Sequence, residues 1–161
     1  MRASGASRGR WYNAAGQGRR ATAHDRDALL ALWDEWVAAS PSPPWLPPGA
    51  RAGTAEGIDR SIAVGWAFAA EREGRLVGLA AAVPRGDAAA ELVELYVTPT
   101  ARGVGLATEL VRAVAAELRA AGVRHALVST APDGPARRLY ERWGFAVESV
   151  RLVAAVDALD L

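Results

Sequence analysis

The sequence predicts an α/β fold of the mixed α+β type, with a central mixed sheet and helices on both of its faces. Short apolar runs typical of strands alternate with segments whose apolar residues recur at helical spacing, in the order β-α-α-β-β-β-α-β-α-β. The chain has 161 residues, of which 51% are hydrophobic, and this is enough for one domain with a buried core. We therefore expect a single folded domain over residues 19–161.

The first half of the chain predicts a strand, two helices and a hairpin. Apolar residues recur at i, i+3 and i+4 in the first helix, and a proline ends it because proline cannot continue a helix. The hairpin consists of two apolar runs that flank a glutamate-glycine turn. The predicted elements are a strand from Arg19, a helix from His24 to before Pro41, a helix over about 54–63, and the strands Trp66–Glu71 and Arg75–Val83.

The remaining elements begin with a strand and a long helix at the centre of the chain. The strand begins near Ala90 and ends at Val97, since Thr98-Pro99 stops it. The helix begins at Leu106, and Gly122 ends it as a C-terminal glycine commonly does. The last predicted elements are a strand over His125–Thr130, a short helix over about 135–143 with Asp133 as its cap and Pro135 in its first turn, and a strand from Phe145 to Ala155.

Composition excludes several classes of function. The net charge of +1 gives no reason to expect nucleic acid or a membrane surface as a partner. The chain has no cysteine, which excludes disulfides and a catalytic thiol, and its two histidines are too few for a histidine-built metal centre. No apolar run approaches the roughly 18 residues of a spanning helix. Residues 1–18 hold three arginines among glycine, serine and alanine, and they are predicted to be a disordered arm.

The loop between the central strand and the long helix has the composition of an anion site. The first N–H groups of a helix lack partners, and the helix dipole places partial positive charge there. Gly103 and Gly105 remove side chains that would keep an anion from the backbone, and Arg102 adds a full charge. The loop therefore predicts a cradle for a pyrophosphate. The alternative is a tight turn that needs glycine only for its geometry.

A dinucleotide-binding unit is a second candidate for this loop, and two features argue against it. Such a unit has a third glycine where this chain has Thr108. It also has an acidic residue at the end of the next strand, and His125–Thr130 contains none.

Two separated segments resemble the signatures of one enzyme family. The segment Arg102-Gly-Val-Gly-Leu-Ala107 resembles the Arg/Gln-x-x-Gly-x-Gly/Ala motif of the GCN5-related N-acetyltransferases, the GNAT family. The segment Asp133-Gly-Pro-Ala-Arg-Arg-Leu-Tyr-Glu-Arg-Trp-Gly-Phe145 resembles that family's second signature, Asn-x-x-Ala-x-x-Leu-Tyr-x-x-x-Gly-Phe. The order of elements is similar too, so the resemblance covers roughly residues 19–155 and implies the GNAT fold.

The resemblance implies acetyl-CoA as cosubstrate, with its pyrophosphate on the N–H groups of residues 103–108. Its pantetheine would run beside Leu95–Val97, where the N–H near Val97 donates to the thioester carbonyl. Asp133 stands where the family usually has asparagine, so it either contacts the cosubstrate or only caps the helix. The residues implied in binding are Leu95, Tyr96, Val97, Arg102, Gly103, Val104, Gly105, Leu106, Ala107, Thr108, Asp133, Ala136 and Tyr140.

The resemblance also implies the catalytic residues. Tyr140, by its place in the second signature, would protonate the departing thiolate, and the alternative is an aromatic residue that only packs. Glu91 and Glu94 are the candidates for the base that takes a proton from the amine, with a water chain as the alternative. Strand alternation places the two carboxylates on opposite faces, so only one is expected to face the acceptor. Glu91 aligns by its spacing with the base of the histone-acetylating branch, and Glu94 lies nearer the reacting carbon.

The expected protein is a cytoplasmic N-acetyltransferase. It would transfer the acetyl group of acetyl-CoA to a primary amine of a small molecule or peptide, by direct attack in a ternary complex and without a metal. The acceptor would lie across the first two helices, the proline-rich segment around Trp45 and the loop Arg85–Asp87. Homodimers are common in the family. The alternative is a non-catalytic acyl-CoA-binding sensor of the same fold, and the presence of Tyr140 favours the enzyme.

Overall fold

The structure is a computed structural model that describes residues 10–13, 16–39 and 49–149. Contacts divide the chain into two compact units, the first reaching residue 128 and the second lying mainly after it. The elements of the first unit are β1 (Arg10–Asn13), β2 (Gly16–Arg20), α1 (Arg26–Ala39), α2 (Ala50–Ala63), β3 (Ala67–Arg72), β4 (Arg75–Arg85), β5 (Ala89–Val97), α3 (Leu106–Ala120) and β6 (His125–Val128). In the second unit, the described residues form α4 (Pro135–Arg142).

The six strands form one sheet in the order β1-β2-β3-β4-β5-β6. Each neighbouring pair is antiparallel except β5 and β6, which are parallel. Parallel neighbours need a crossover connection, and α3 is that crossover. The predicted mixed sheet is confirmed.

Helices α1 and α2 cover one face of the sheet, and α3 covers the other. The first face has a core in which Leu29 of α1 and Ile58 of α2 are fully buried beside Leu79 of β4. On the opposite face, Gly78 lies so near α3 that an added Cβ would stand 3.1 Å from the Leu110 side chain. Gly78 thus permits the close approach of helix and sheet. The buried residues of α3 are Leu106, Leu110, Val114 and Leu118, whereas Val111, which also follows the apolar spacing of the helix, is only partly buried.

The structure corrects the predicted boundaries at both ends of the described chain. Residues 10–13 and 16–18, expected in the disordered arm, belong to β1 and β2, because Trp11 and Tyr12 are residue types that favour strands. The strand predicted from Phe145 is wrong for residues 145–149, which form no regular element and leave Val147 65% exposed. Strand propensity mainly reflects packing in a sheet, and this segment lacks it. The rest of that strand, like the segment around Trp45, lies outside the described residues.

Two smaller differences concern α2 and β4. Helix α2 begins at Ala50, four residues earlier than predicted, after Gly49 in the left-handed conformation with φ 85°. Strand β4 continues through Pro84, which stands opposite Ala90 of β5. Proline removes one N–H donor from the ladder, and a position near the end of a strand tolerates that loss.

Candidate active site

The loop from the end of β5 to the start of α3 has the geometry of an anion cradle. Thr98 leads into a single 3-10 turn at Pro99–Ala101, and α3 begins after Gly105. Gly103 and Gly105 have φ values of 80° and 86°, a left-handed conformation that strains other residue types. Glycine is therefore needed here for the turn as well as for access to the backbone.

The backbone donors of this loop are open. None of the N–H groups of residues 103–108 donates a hydrogen bond to another described residue. A Cβ added at Gly103 or Gly105 would meet no atom within 4 Å, and the N-cap Gly105 supplies no side-chain bond to the helix. The Leu106 side chain is buried, so that residue offers only its backbone. Unpaired donors at the positive end of a 15-residue helix suit a pyrophosphate.

Arg102 is held by contacts to the end of β5. Its Nε donates to the Val97 carbonyl oxygen at 2.8 Å, and its guanidinium carbon lies 5.6 Å from the centre of the Tyr96 ring. These contacts hold the guanidinium charge at the loop that precedes α3, and because the residue is exposed, an anion can reach it.

The second half of β5 has one edge without a strand partner among the described residues. Strand β6 pairs only with Ala89–Leu92. The Thr98 N–H donates to the Val77 carbonyl oxygen of β4 at 2.9 Å. Because successive strand residues direct their backbone groups to opposite sides, the N–H of Val97 points away from β4, toward the open edge. Leu95 shares that orientation, because it lies two residues before Val97 on the same strand.

A β-bulge at Val93 corrects the prediction that the two strand carboxylates lie on opposite faces. Glu94 stands opposite Ala81, and Leu92 stands opposite Ala82, so Val93 has no partner on β4. The extra residue cancels one step of the alternation. Glu91 and Glu94 therefore lie on the same face of the sheet, the face covered by α1 and α2.

Glu94 lies in a cavity of about 340 Å³ between α2 and the sheet. Desolvation by burial raises the pKa of the Glu94 carboxyl from 4.5 to about 7, and a hydrogen bond with Thr54 opposes the rise. A carboxyl group with this pKa can accept a proton near neutral pH. The other residues along the cavity are Ala50, Gly53, Glu56, Gly57 and Arg60 of α2 with Val83, Arg85 and Val93 of the sheet.

Glu91 differs from Glu94 because it has a cationic partner. Both Nε and Nη2 of Arg85 lie 2.6 Å from Glu91 Oε2. The Glu91 carboxylate is therefore already engaged by the Arg85 guanidinium, whereas no cation contacts the Glu94 carboxyl group in the described residues. The structure thus gives the two candidate bases unequal environments.

In the second unit, Tyr140 is fixed by the end of α4. The N–H of Phe145 donates to the Tyr140 carbonyl and the N–H of Gly144 to that of Glu141, at 3.1 and 3.0 Å. With φ 94° at Gly144, these bonds form a Schellman motif. The rings of Trp143 and Phe145 lie edge-on to the Tyr140 ring at 5.8 and 5.7 Å, and Tyr140 is 8% exposed. Tyr140, Gly144 and Phe145, which belong to the second signature, are therefore spaced as the end of this helix requires.

The start of α4 corrects one predicted role. The N-cap is Gly134, not Asp133, and Pro135 occupies the first turn as predicted. Asp133 is exposed and Ala136 is partly buried. The Gly134 backbone is extended and leads directly into proline, so the residue next to Pro135 takes the cap position.

The structure brings together some of the predicted site residues and adds others. Glu91 and Glu94 share one face, the residues from Leu95 to Thr108 form the strand end and loop, and Tyr140 lies in the second unit with Asp133 and Ala136. Thr54 and Gly57 of α2 border the Glu94 cavity and were not predicted. Small residues occur along the whole of α2, so the sequence carried no signal that singled out these two.

The described residues contain neither a membrane-spanning helix nor a cluster of metal ligands. No helix within residues 10–13, 16–39 and 49–149 is long and apolar enough to cross a membrane. In the same part of the chain, no group of three or more histidine, aspartate or glutamate residues is arranged to hold a metal ion.

Comparisons with known proteins agree with this architecture. A model of the acetyltransferase (GNAT) family matches residues 30–145. No curated protein matches the chain. Among solved structures, the N-acetyltransferase paia from Thermoplasma acidophilum, in complex with coenzyme A, is 17% identical with a TM-score of 0.68. The match covers 83% of this chain and 91% of that one.

Two further structures are similar. The aminoglycoside N-acetyltransferase AAC(6')-Iy, in complex with the bisubstrate analogue CoA-S-monomethyl-acetylneamine, is 21% identical with a TM-score of 0.61, over 86% of this chain and 95% of that one. The ribosomal-protein-alanine N-acetyltransferase from Brucella melitensis is 23% identical with a TM-score of 0.61, over 86% and 98%. These likenesses show the fold. Since the family model matches well over half of the sequence, the chain belongs to the acetyltransferase (GNAT) family.

Proposed function

We propose that this protein is an acetyl-CoA-dependent N-acetyltransferase that acts on a primary amine of a small molecule or peptide, by direct attack in a ternary complex. The observation that carries the proposal is the pairing of two features on β5. One is the open helix N-terminus at the end of the strand, and the other is the Glu94 carboxyl with a pKa of about 7 on its α2-facing side. Cytoplasmic location and a homodimer are further parts of the proposal.

The cradle residues bind the cosubstrate in this proposal. The N–H groups of residues 103–108 and the charge of Arg102 hold the pyrophosphate, and the open edge at Leu95–Val97 receives the pantetheine. The left-handed glycines and unpaired donors support this assignment. Tyr96, Asp133 and Ala136 complete the binding residues that the family resemblance implies.

Glu94 is the proposed general base. An amine must be neutral to attack, so its proton has to leave, and an acceptor with a pKa near the working pH is best suited to take it. Glu94 has that pKa and lies in a cavity, whereas Glu91 is paired with Arg85. We therefore assign the proton transfer to Glu94 and treat Glu91 as a group that holds Arg85 at the cavity.

Two groups are proposed to stabilise negative charge during the reaction. The Val97 N–H acts on the thioester oxygen, and Tyr140 acts on the departing sulfur. The N–H that points to the open edge donates to the thioester oxygen as it becomes negative, which stabilises the transition state. Tyr140 protonates the departing sulfur. A thiol has a pKa of about 8.5 and a phenol about 10, so this transfer needs no strongly perturbed tyrosine.

The amine acceptor is proposed to bind in the Glu94 cavity. One structural relative is described as an aminoglycoside N-acetyltransferase and another as a ribosomal-protein-alanine N-acetyltransferase, so relatives of this fold accept both small molecules and proteins. The cavity in this chain has acidic and basic residues on its rim, with Glu56 and Arg60 of α2 both exposed. A polar amine suits such a charged rim better than a purely apolar amine does.

The test is an acetyl-transfer assay against a panel of amines, with kcat/KM measured from pH 5 to 9. We expect kcat/KM to rise with pH through about 7, because Glu94 must be ionised to accept a proton. Glu94→Gln should lower kcat by roughly 10²- to 10⁴-fold, and Glu91→Gln, the matched control, should lower it far less. If acetyl-CoA raises the melting temperature but no amine is acetylated, the non-catalytic sensor is the better account.

A further inference from the structure

We propose that Tyr96 is a positioning residue that orients Arg102 toward the cosubstrate pyrophosphate, with Glu35 of α1 as its anchor. The proposal rests on the proposed function, in which the loop at residues 102–108 binds that pyrophosphate. It adds a role for the Tyr96 side chain, which faces the α1 side of the sheet and lies outside the cradle itself.

The contacts form a continuous chain from α1 to the loop. The Tyr96 hydroxyl donates to Glu35 Oε1 at 2.9 Å, which ties the phenol ring to α1. The guanidinium carbon of Arg102 lies 5.6 Å from the centre of that ring, within the range of a cation–π contact. The Arg102 Nε donates to the Val97 carbonyl oxygen at 2.8 Å.

The Tyr96 ring is well suited to hold a cation. It is 6% exposed and belongs to the core formed with Leu29, Ile58 and Leu79, so it cannot turn aside. Burial raises the pKa of the Tyr96 phenol, the bond to Glu35 adds to this rise, and the charge and hydrogen bond of Arg102 oppose it without reversing it. The ring therefore stays neutral across the ordinary pH range and presents a constant surface to Arg102.

The arrangement leaves Arg102 ready to bind phosphate. An arginine has five N–H donors, and Nε uses one of them on Val97. The ring contact and this bond fix the plane of the guanidinium, and a hydrogen bond with the Tyr96 hydroxyl engages the same side chain. The donors that these contacts do not use remain for an anion. An exposed arginine without such contacts would lose more side-chain freedom on binding.

The experiment compares two acetyl donors in wild-type protein and in Tyr96→Leu. Acetyl-CoA carries the pyrophosphate, and S-acetylpantetheine lacks it. We expect Tyr96→Leu to raise the KM for acetyl-CoA by about 2- to 30-fold, the range of a cation–π contact, with kcat changed by less than about 2-fold. The KM for S-acetylpantetheine should stay as in the wild type.

Three further variants separate positioning from general damage to the core. Phe68 is the matched control, because Arg20 lies over its ring at 5.4 Å, away from the loop, and Phe68→Leu should leave both KM values unchanged. Tyr96→Phe keeps the ring but loses the hydrogen bonds of the hydroxyl to Glu35 and Arg102, so its KM for acetyl-CoA should lie between those of the wild type and Tyr96→Leu. In an Arg102→Met background, Tyr96→Leu should have no further effect on the KM for acetyl-CoA.

The outcomes distinguish a failure of the proposed function from a failure of the role proposed for Tyr96. If wild-type protein shows no saturable use of acetyl-CoA, the proposed function fails. If it uses acetyl-CoA but Tyr96→Leu raises both KM values equally, or acts equally in the Arg102→Met background, Tyr96 is only a core residue and this inference is wrong. Should Tyr96→Leu fail to fold, Arg102→Lys gives the same test at an exposed position, since lysine keeps the charge but cannot use a planar guanidinium. An unchanged acetyl-CoA KM in that variant also overturns the proposal.

Discussion

Replacing Glu94 by glutamine is expected to stabilise the protein above pH 7 while it removes the proposed base. The folded-state pKa of about 7 exceeds the ordinary value of 4.5, so the folded protein binds this proton more tightly than the unfolded chain does. The stability that this bound proton contributes is therefore fully present below about pH 4.5, and it is lost as the pH rises toward 7. Each tenfold change in proton affinity corresponds to about 1.4 kcal/mol, so the loss reaches about 3 kcal/mol at pH 8.

Glutamine has nearly the shape of the protonated carboxyl and carries no charge, so Glu94→Gln avoids this loss. At about 2–4 °C per kcal/mol for a domain of this size, its melting temperature at pH 8 should exceed that of the wild type by roughly 6–12 °C. At pH 5 the free-energy difference should fall below about 1 kcal/mol.

Thermal melts of the wild type and the variant at pH 5, 6, 7 and 8 provide the measurement. Glu91→Gln is the control, because it removes a carboxylate that Arg85 already pairs and should be neutral or destabilising by up to about 1 kcal/mol. A Glu94→Gln variant that melts with the wild type at pH 8 would refute the desolvation argument and with it the assignment of the base.

Three other substitutions test the loop and the second signature. Gly105→Glu should abolish the thermal shift that acetyl-CoA gives, while Gly86→Ala, at φ 70° in another turn, should lower stability by about 1–2 kcal/mol and leave that shift intact. Tyr140→Phe should lower kcat by roughly 10²-fold or more at an unchanged KM for acetyl-CoA, and a near-normal kcat would leave Tyr140 a packing residue. Gly144→Ala should cost about 1–2 kcal/mol because alanine resists φ 94°, and kcat should fall with it since the helix end fixes Tyr140; a kcat equal to that of the wild type would separate the two effects.

The sequence predicted the elements whose causes are local. Helix α3 follows from apolar residues at i and i+4 between Leu106 and Leu118, and Gly122 ends it in the left-handed conformation. The hairpin follows from the turn at Glu73-Gly74, where both residues have positive φ. In these cases a few neighbouring residues determine the structure, so the sequence pattern alone is enough to predict it.

The features that the sequence did not reveal depend on contacts between distant segments. The residues Glu91–Val97 alone do not show that the pairing of this strand with β4 shifts by one residue at Val93. The shared face of the two carboxylates was therefore not predicted. The partner of Glu91 is Arg85, on the neighbouring strand, and the desolvation of Glu94 depends on α2. The strand at Arg10–Asn13 was not predicted because glycine, serine, alanine and arginine dominate residues 1–18, and only two aromatic residues there favour a strand.

The bulge at Val93 also changes what sequence spacing means in this strand. In a regular strand, two carboxylates reach the same face when they are two or four residues apart. Here the same placement occurs at a spacing of three, because Val93 is an added residue without a partner. A chain that lacked Val93 would keep Glu91, Glu94 and Tyr96 on their present face in an unbroken ladder. Glu-x-Glu in such a chain and Glu-x-x-Glu in this one therefore describe the same surface, and an alignment that forbids a one-residue gap inside the strand would pair the wrong carboxylates.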